Sequence, residues 1–117
     1  MADNTLFGVH GTALALRSQR MGQLASNIAN ASTPGYKAKD IDFAAALRSA
    51  EGAGGNTDAA TAAATLYRMP LQPSEDGNTV ELATEQTAFA ENAVAYQTTL
   101  SFLNGRIGQI TRALRGE

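Results

Sequence analysis

The side chains able to do chemistry are few and scattered. His10 is the only histidine, so no histidine pair can chelate a metal, and a lone imidazole on a helix reads as a surface or interface group. Ser26, His10 and Asp40 are the residue types of a nucleophilic triad, but no nucleophile elbow surrounds the serine and nothing in the spacing unites the three. Gly52-Ala53-Gly54-Gly55 has neither a preceding strand nor a following lysine, so it reads as loop rather than phosphate cradle. Asn30-Ala31-Ser32 has the form of a glycosylation acceptor, a match short enough for chance. There is no cysteine, which removes disulfides, thiolate zinc sites and cysteine nucleophiles. Asp40 and Asp42 face Lys37 and Lys39 in sequence; paired with those or with a neighbouring chain in solvent, they would contribute little. The expectation is a protein without catalytic, metal or cofactor sites.

Composition narrows the class further. A chain of 117 residues makes one small domain. Nine Lys and Arg against eleven Asp and Glu give a net charge of -2, far from the basic stripe of a nucleic-acid binder. Aromatics are 6% and alanine carries much of the apolar count, so a deep core is not expected. The first twenty residues hold no basic n-region and no apolar run longer than residues 13–16, which predicts neither a cleaved signal peptide nor a membrane span.

Two helical patterns bracket a weaker middle. The first, from about residue 4 to 29, repeats Phe7, Leu14, Met21 and Ile28 every seven residues, with Leu6, Val9, Ala13 and Leu16 on an adjoining face. That arc is wider than one partner helix covers. In the second, Leu82, Phe89, Tyr96, Leu103 and Ile110 recur every seven residues beside Gln86, Ala93, Leu100, Ile107 and Leu114, a coiled-coil seam over four heptads. Asn78 with Glu81 three residues later resembles a capping box that starts this helix near Thr79. Continued to Leu114 it would be about 54 Å long, too long for a compact domain of this size. The predicted organisation is 1–50 for the first helix, a turn and a short helix, 51–78 for a mobile loop poor in large apolar residues, and 79–117 for the heptad helix. The fold class is all-α, with no strand pattern anywhere.

The most informative segment is residues 25–43. Asn27 and Asn30 stand at the expected end of the first helix, where short amides bond to nearby backbone. Pro34 drives Thr33 out of the helical region, and Pro34-Gly35 is the central pair of a type II turn, with Gly35 at positive φ. Tyr36 follows, and Asp40 or Asp42 can cap a short helix through Phe43, Ala46 and Leu47. Two roles fit Asn27, Asn30, Thr33, Pro34, Gly35 and Tyr36: a well-built helix exit, or a contact between subunits with the Tyr36 ring in it.

Residues 24–36, LASNIANASTPGY, resemble the N-terminal signature of the rod, hook and hook-associated proteins of the bacterial flagellum. The continuation KAKDIDF, then NTVE at 78–81, ENA at 91–93 and Tyr96-Gln97, are similar to the proximal-rod members. Ser32 stands where the family more often has aspartate. The resemblance implies an axial structural protein whose terminal helices pack in a tubular, torque-transmitting rod in the periplasm. It implies export through the flagellar type III apparatus without signal cleavage. The implied partners are copies of itself, other rod proteins, the rod-to-MS-ring junction protein and the export gate. The alternative from the residues alone is an all-α adaptor or export-chaperone hairpin.

Overall fold

A computed structural model describes residues 8–52 and 56–116. Six elements follow in order: α1 (Gly8–Ala29), β1 (Lys39–Ile41), α2 (Phe43–Gly52), α3 (Thr57–Ala64), β2 (Thr65–Tyr67) and α4 (Leu82–Arg115). The molecule is rod-like, 64 × 26 × 18 Å. Leu6 and Phe7 of the first apolar pattern lie outside the described residues. From Gly8 onward that pattern is helical, with Leu16 and Leu24 fully buried.

α1 and α4 pack antiparallel. The direction is fixed by three contacts in step: Asn27 with Glu85, Arg17 with Asn92, and His10 with Phe102. His10 stacks on Phe102 with ring centroids 5.6 Å apart, so the lone histidine lies between the helices. It is 16 positions from Ser26, about 24 Å along α1, which excludes a triad.

The long C-terminal helix is as expected, but its start and its deepest face differ. It begins at Leu82, and Glu81 at its N-cap makes no side-chain cap bond. Its C-terminus closes on Gly116, whose positive φ lets its N–H reach the Arg112 and Ala113 carbonyls. The fully covered row is Glu85, Asn92 and Thr99, polar and spaced by seven, instead of either apolar row. Phe89, Ala93, Tyr96, Leu100, Leu103 and Ile110 flank it half-buried, while Leu82, Ile107 and Leu114 are exposed in the single chain.

The middle segment departs most from expectation. Instead of an unstructured stretch, residues 56–67 form α3 and β2, and β2 pairs antiparallel with β1 in the register Lys39–Tyr67, Asp40–Leu66, Ile41–Thr65. Alanine explains both the expectation and its failure. It offers little apolar area, yet it is the best helix former and lets helices approach closely. Ala46 and Ala50 of α2 meet Ala60 and Ala64 of α3 over Leu16 and Ile41, edged by Phe43 and Leu47. Asp42 caps α2 by accepting the Ala45 N–H at 3.2 Å, and Asn56 caps α3 through the Ala59 N–H at 3.2 Å. Gln19 of α1 reaches across to Thr57 and Thr61 of α3.

Candidate assembly site: a turn on a charged frame

The turn forms as its residues dictate. Tyr36 N–H donates to the Thr33 carbonyl at 3.2 Å, and Gly35 sits at φ +75°. A β-carbon at that φ is strained, although no neighbouring atom would obstruct it. The turn is held from outside. Asn78 Nδ2 donates to the carbonyls of Asn30, Ala31 and Thr33 at 3.0, 3.1 and 2.7 Å, and its Oδ1 accepts the Val80 N–H. Asn78 is therefore no helix cap. It clamps the exit of α1 from a point 45 residues downstream of Thr33. Gly35 N–H donates to the Asp76 carbonyl, Thr79 N–H to the Tyr36 carbonyl, and Ala38 N–H to Thr79 Oγ1. The proposed partner of Asn78, Glu81, instead accepts the Leu71 N–H at 3.1 Å.

Asn27 is the hub beneath the turn. It is fully buried within α1, and every polar valence of its side chain is used. Nδ2 donates to the Lys39 carbonyl at 2.6 Å and to Glu85 Oε2 at 2.9 Å. Oδ1 accepts from Gln23, Tyr36 and the Lys39 N–H at 3.1, 3.2 and 3.3 Å. An amide is required, because an aspartate would lose both donors and place a second carboxylate against Glu85. Asn30 is more local, bonding to the Ser26 carbonyl and accepting from Thr33 Oγ1. The Tyr36 hydroxyl also bonds Ser26 Oγ at 3.2 Å, so this half-buried tyrosine has polar partners in its own chain. Thr33, Pro34 and Gly35 are exposed at the tip.

A chain of ion pairs ties the elements beside this hub. Arg20 of α1 holds Asp40 of β1 bidentately at 2.8 and 2.9 Å. Arg68, just after β2, bonds Asp40 at 3.1 Å and Glu85 of α4 at 2.7 Å. Asp40 thus pairs with two arginines, and neither Lys37 nor Lys39 is its partner: Lys37 donates to the Gly77 carbonyl and Lys39 lies over the Tyr67 ring. Burial pushes the Asp40 pKa up, but the Arg20 hydrogen bonds and charge, the Ile41 N–H and Arg68 outweigh it and hold the carboxyl below its ordinary value. Arg20 is raised by its hydrogen bond to Asp40, against desolvation. Two arginines and two carboxylates leave the cluster neutral, and Glu85, with no exposure, has both oxygens bonded. Sequence reasoning missed Arg20, Arg68 and Glu85 as a set because the cluster is drawn from α1, β1, α4 and the segment after β2. The available signal was polar residues recurring at 85, 92 and 99 inside an amphipathic helix.

This geometry orders backbone and presents surfaces. Among the described residues no group of His, Asp and Glu could hold a metal ion, and no helix is long and apolar enough to cross a membrane. Residues 7–37 match the family model for flagella basal body rod proteins. The chain is 52% identical to the flagellar basal body rod protein FlgB of Cereibacter sphaeroides over 94% of each chain. It is 45% identical to FlgB of Aeromonas hydrophila, covering 95% of this chain and 93% of that one, and 42% identical to FlgB of Escherichia coli K12 over 88% of each. Identity at this level over nearly the whole length, together with the signature turn folded as described, means that the chain belongs to the FlgB family of flagellar basal body rod proteins.

Proposed function

We propose that this structural rod subunit, which is not an enzyme, occupies the proximal rod and builds a tubular shaft that transmits motor torque across the periplasm. Its neighbours are copies of itself, other rod proteins, and at the base the rod-to-MS-ring junction protein and the export gate. It reaches them through the flagellar type III apparatus without signal cleavage. An adaptor or export-chaperone role is not favoured by its relatives. The observation that carries the reading is the division of α4. Its polar row, Glu85, Asn92 and Thr99, is buried within the chain itself, while Leu82, Ile107 and Leu114 of the apolar seam, with Val94, are left exposed. Ile107 and Leu114, seven residues apart on one row and both exposed in the single subunit, are suited to lateral packing against other helices.

In this reading the turn residues Asn27, Asn30, Thr33, Pro34, Gly35 and Tyr36 set the angle at which the chain leaves α1, and the seam supplies cohesion between subunits. The test is complementation of a non-motile strain lacking its own proximal-rod subunit. The unchanged chain should restore basal bodies and swimming. Ile107→Asp, which puts a charge into the seam, should yield a folded, exported protein that builds no rod. Normal swimming by that variant would reject the seam.

A further inference from the structure

The two ends of the molecule carry opposite charge. α4, about 51 Å long at 1.5 Å per residue, runs along most of the 64 Å axis, so residues 70–81 lie at one end and 103–116 at the other. Among the described residues, the first end bears Glu75, Asp76 and Glu81, three carboxylates against one nearby cation, Lys37, which donates to the Gly77 carbonyl and acts on Asp76. Among the described residues the second, 103–116, bears Arg106, Arg112 and Arg115 and no acid. Each end also leaves a large apolar side chain uncovered: Leu71 is 86% exposed and Leu114 84%. An apolar centre with a charged rim, of opposite sign at the two ends, has the composition of two halves of one interface.

We propose that the basic C-terminal tip of α4 docks on the acidic end of a second copy, Leu114 against Leu71, with Arg112 and Arg115 facing Glu75 and Asp76. The inference rests on the rod-subunit reading and gives it a polarity. The contact joins unlike ends, so any array of docked copies still offers one free end of each kind, and it grows as an open helix unless its rotation closes a ring. Contacts between like ends are disfavoured, since they bring arginine to arginine or carboxylate to carboxylate. A single exposed ion pair adds little, and the contact gains strength from repetition along the array. Its dependence on charge makes it sensitive to salt.

The chain contains no cysteine, which makes disulfide trapping clean. Gln72→Cys and Ala113→Cys place thiols on exposed positions at the two ends without removing any of the charges. Within one copy they are too far apart to bridge. Oxidation of the full chain carrying both should give a ladder of covalent dimers, trimers and higher species. When singly substituted copies are mixed, the 72–113 pair should exceed either like pair several-fold, and raising the salt should lower its yield. Adding Arg112→Glu and Arg115→Glu to the Ala113→Cys copy should cut the yield several-fold, and Glu75→Arg in the other copy should recover part of it. Cross-linking no stronger than that of a mid-body Arg48→Cys control, insensitive to salt, or dominated by like pairs would overturn the contact. The rod reading is tested separately by complementation: swimming restored by the unchanged chain, with no 72–113 pair formed, rejects the docking alone.

Discussion

The turn end of the molecule and the C-terminal half of α4 are built on opposite terms. Around Asn27, Asn78 and Glu85 the chain satisfies its own polar groups, with carbonyls, amides and charges from α1, β1, the segment after β2 and α4 closing on one another. Among the described residues, α4 beyond Phe102 has few partners in its own chain, and it exposes Ile107 and Leu114. In an ordinary small domain the apolar residues are inside and the polar ones outside. Here the closed region is largely polar and the open region carries the apolar residues, which suits a subunit that must hold its shape alone and acquire its hydrophobic burial from neighbours. Substitutions at the first end should therefore act on the monomer, and substitutions at the second on assembly.

The largest effect is expected at Glu85. Glu85→Ala strands Arg68 and an Asn27 donor in a buried site, and breaking one partner of such a pair costs about 3–5 kcal/mol. Urea denaturation followed by circular dichroism should show the loss, up to melting of the turn end. A shift no larger than that of a surface substitution would mean that the frame does not hold the two helices together.

Asn27→Ala comes next. It leaves Glu85 Oε2, the Lys39 carbonyl and N–H, and the Tyr36 hydroxyl short of a partner, at about 1–3 kcal/mol for each group that water cannot reach. Tyr36→Phe should cost only about 1 kcal/mol, since it removes one hydroxyl. Equal effects for the two would show that the hub is the turn and not the amide.

The frame should also make the monomer acid-sensitive. The folded-state pKa of Asp40 lies below its ordinary value of 3.8, so its contribution is fully present above that value and is lost as pH falls through the lowered one. The urea midpoint should fall with acidification across this range, and the Asp40→Asn variant should show a shallower slope there. Identical slopes would remove Asp40 from the acid response.

How much of this was legible beforehand follows from the range of each interaction. The positive φ of Gly35, the Asp42 cap and the long helices at 8–29 and 82–115 depend on residues within a turn or a heptad of each other, and their signals stand in the local sequence. The Asn78 clamp fails that test. Asn78 and Glu81 have the spacing of a capping box, but the three carbonyls at the end of α1 hold the Asn78 amide, and Leu71 holds the Glu81 carboxylate. The strands escaped notice because three residues each are too few to show alternation, and α3 because alanines bury completely without looking hydrophobic. Arg20, Asp40, Arg68 and Glu85 read singly as solvated charges. Only the fold brings them together.

The smallest effect on the monomer, and the sharpest test of the contrast, belongs to Leu114. With 84% of its surface open it has almost nothing to lose within its own chain. Leu114→Gln keeps helix propensity close to that of leucine and adds no charge to the basic tip, so folding stability should change by less than about 0.5 kcal/mol. Its urea curve should overlay that of the unchanged chain, where Glu85→Ala is displaced far from it. The two variants should differ in the opposite sense once export and assembly are scored per folded molecule. Leu114→Gln should be exported at the normal level and yet incorporate poorly into rods, because the buried apolar area it removes belongs to the contact with another subunit. If it instead lowers the urea midpoint while assembling normally, the C-terminal half of α4 is packed within its own chain, and the division between a closed polar end and an open apolar end does not hold.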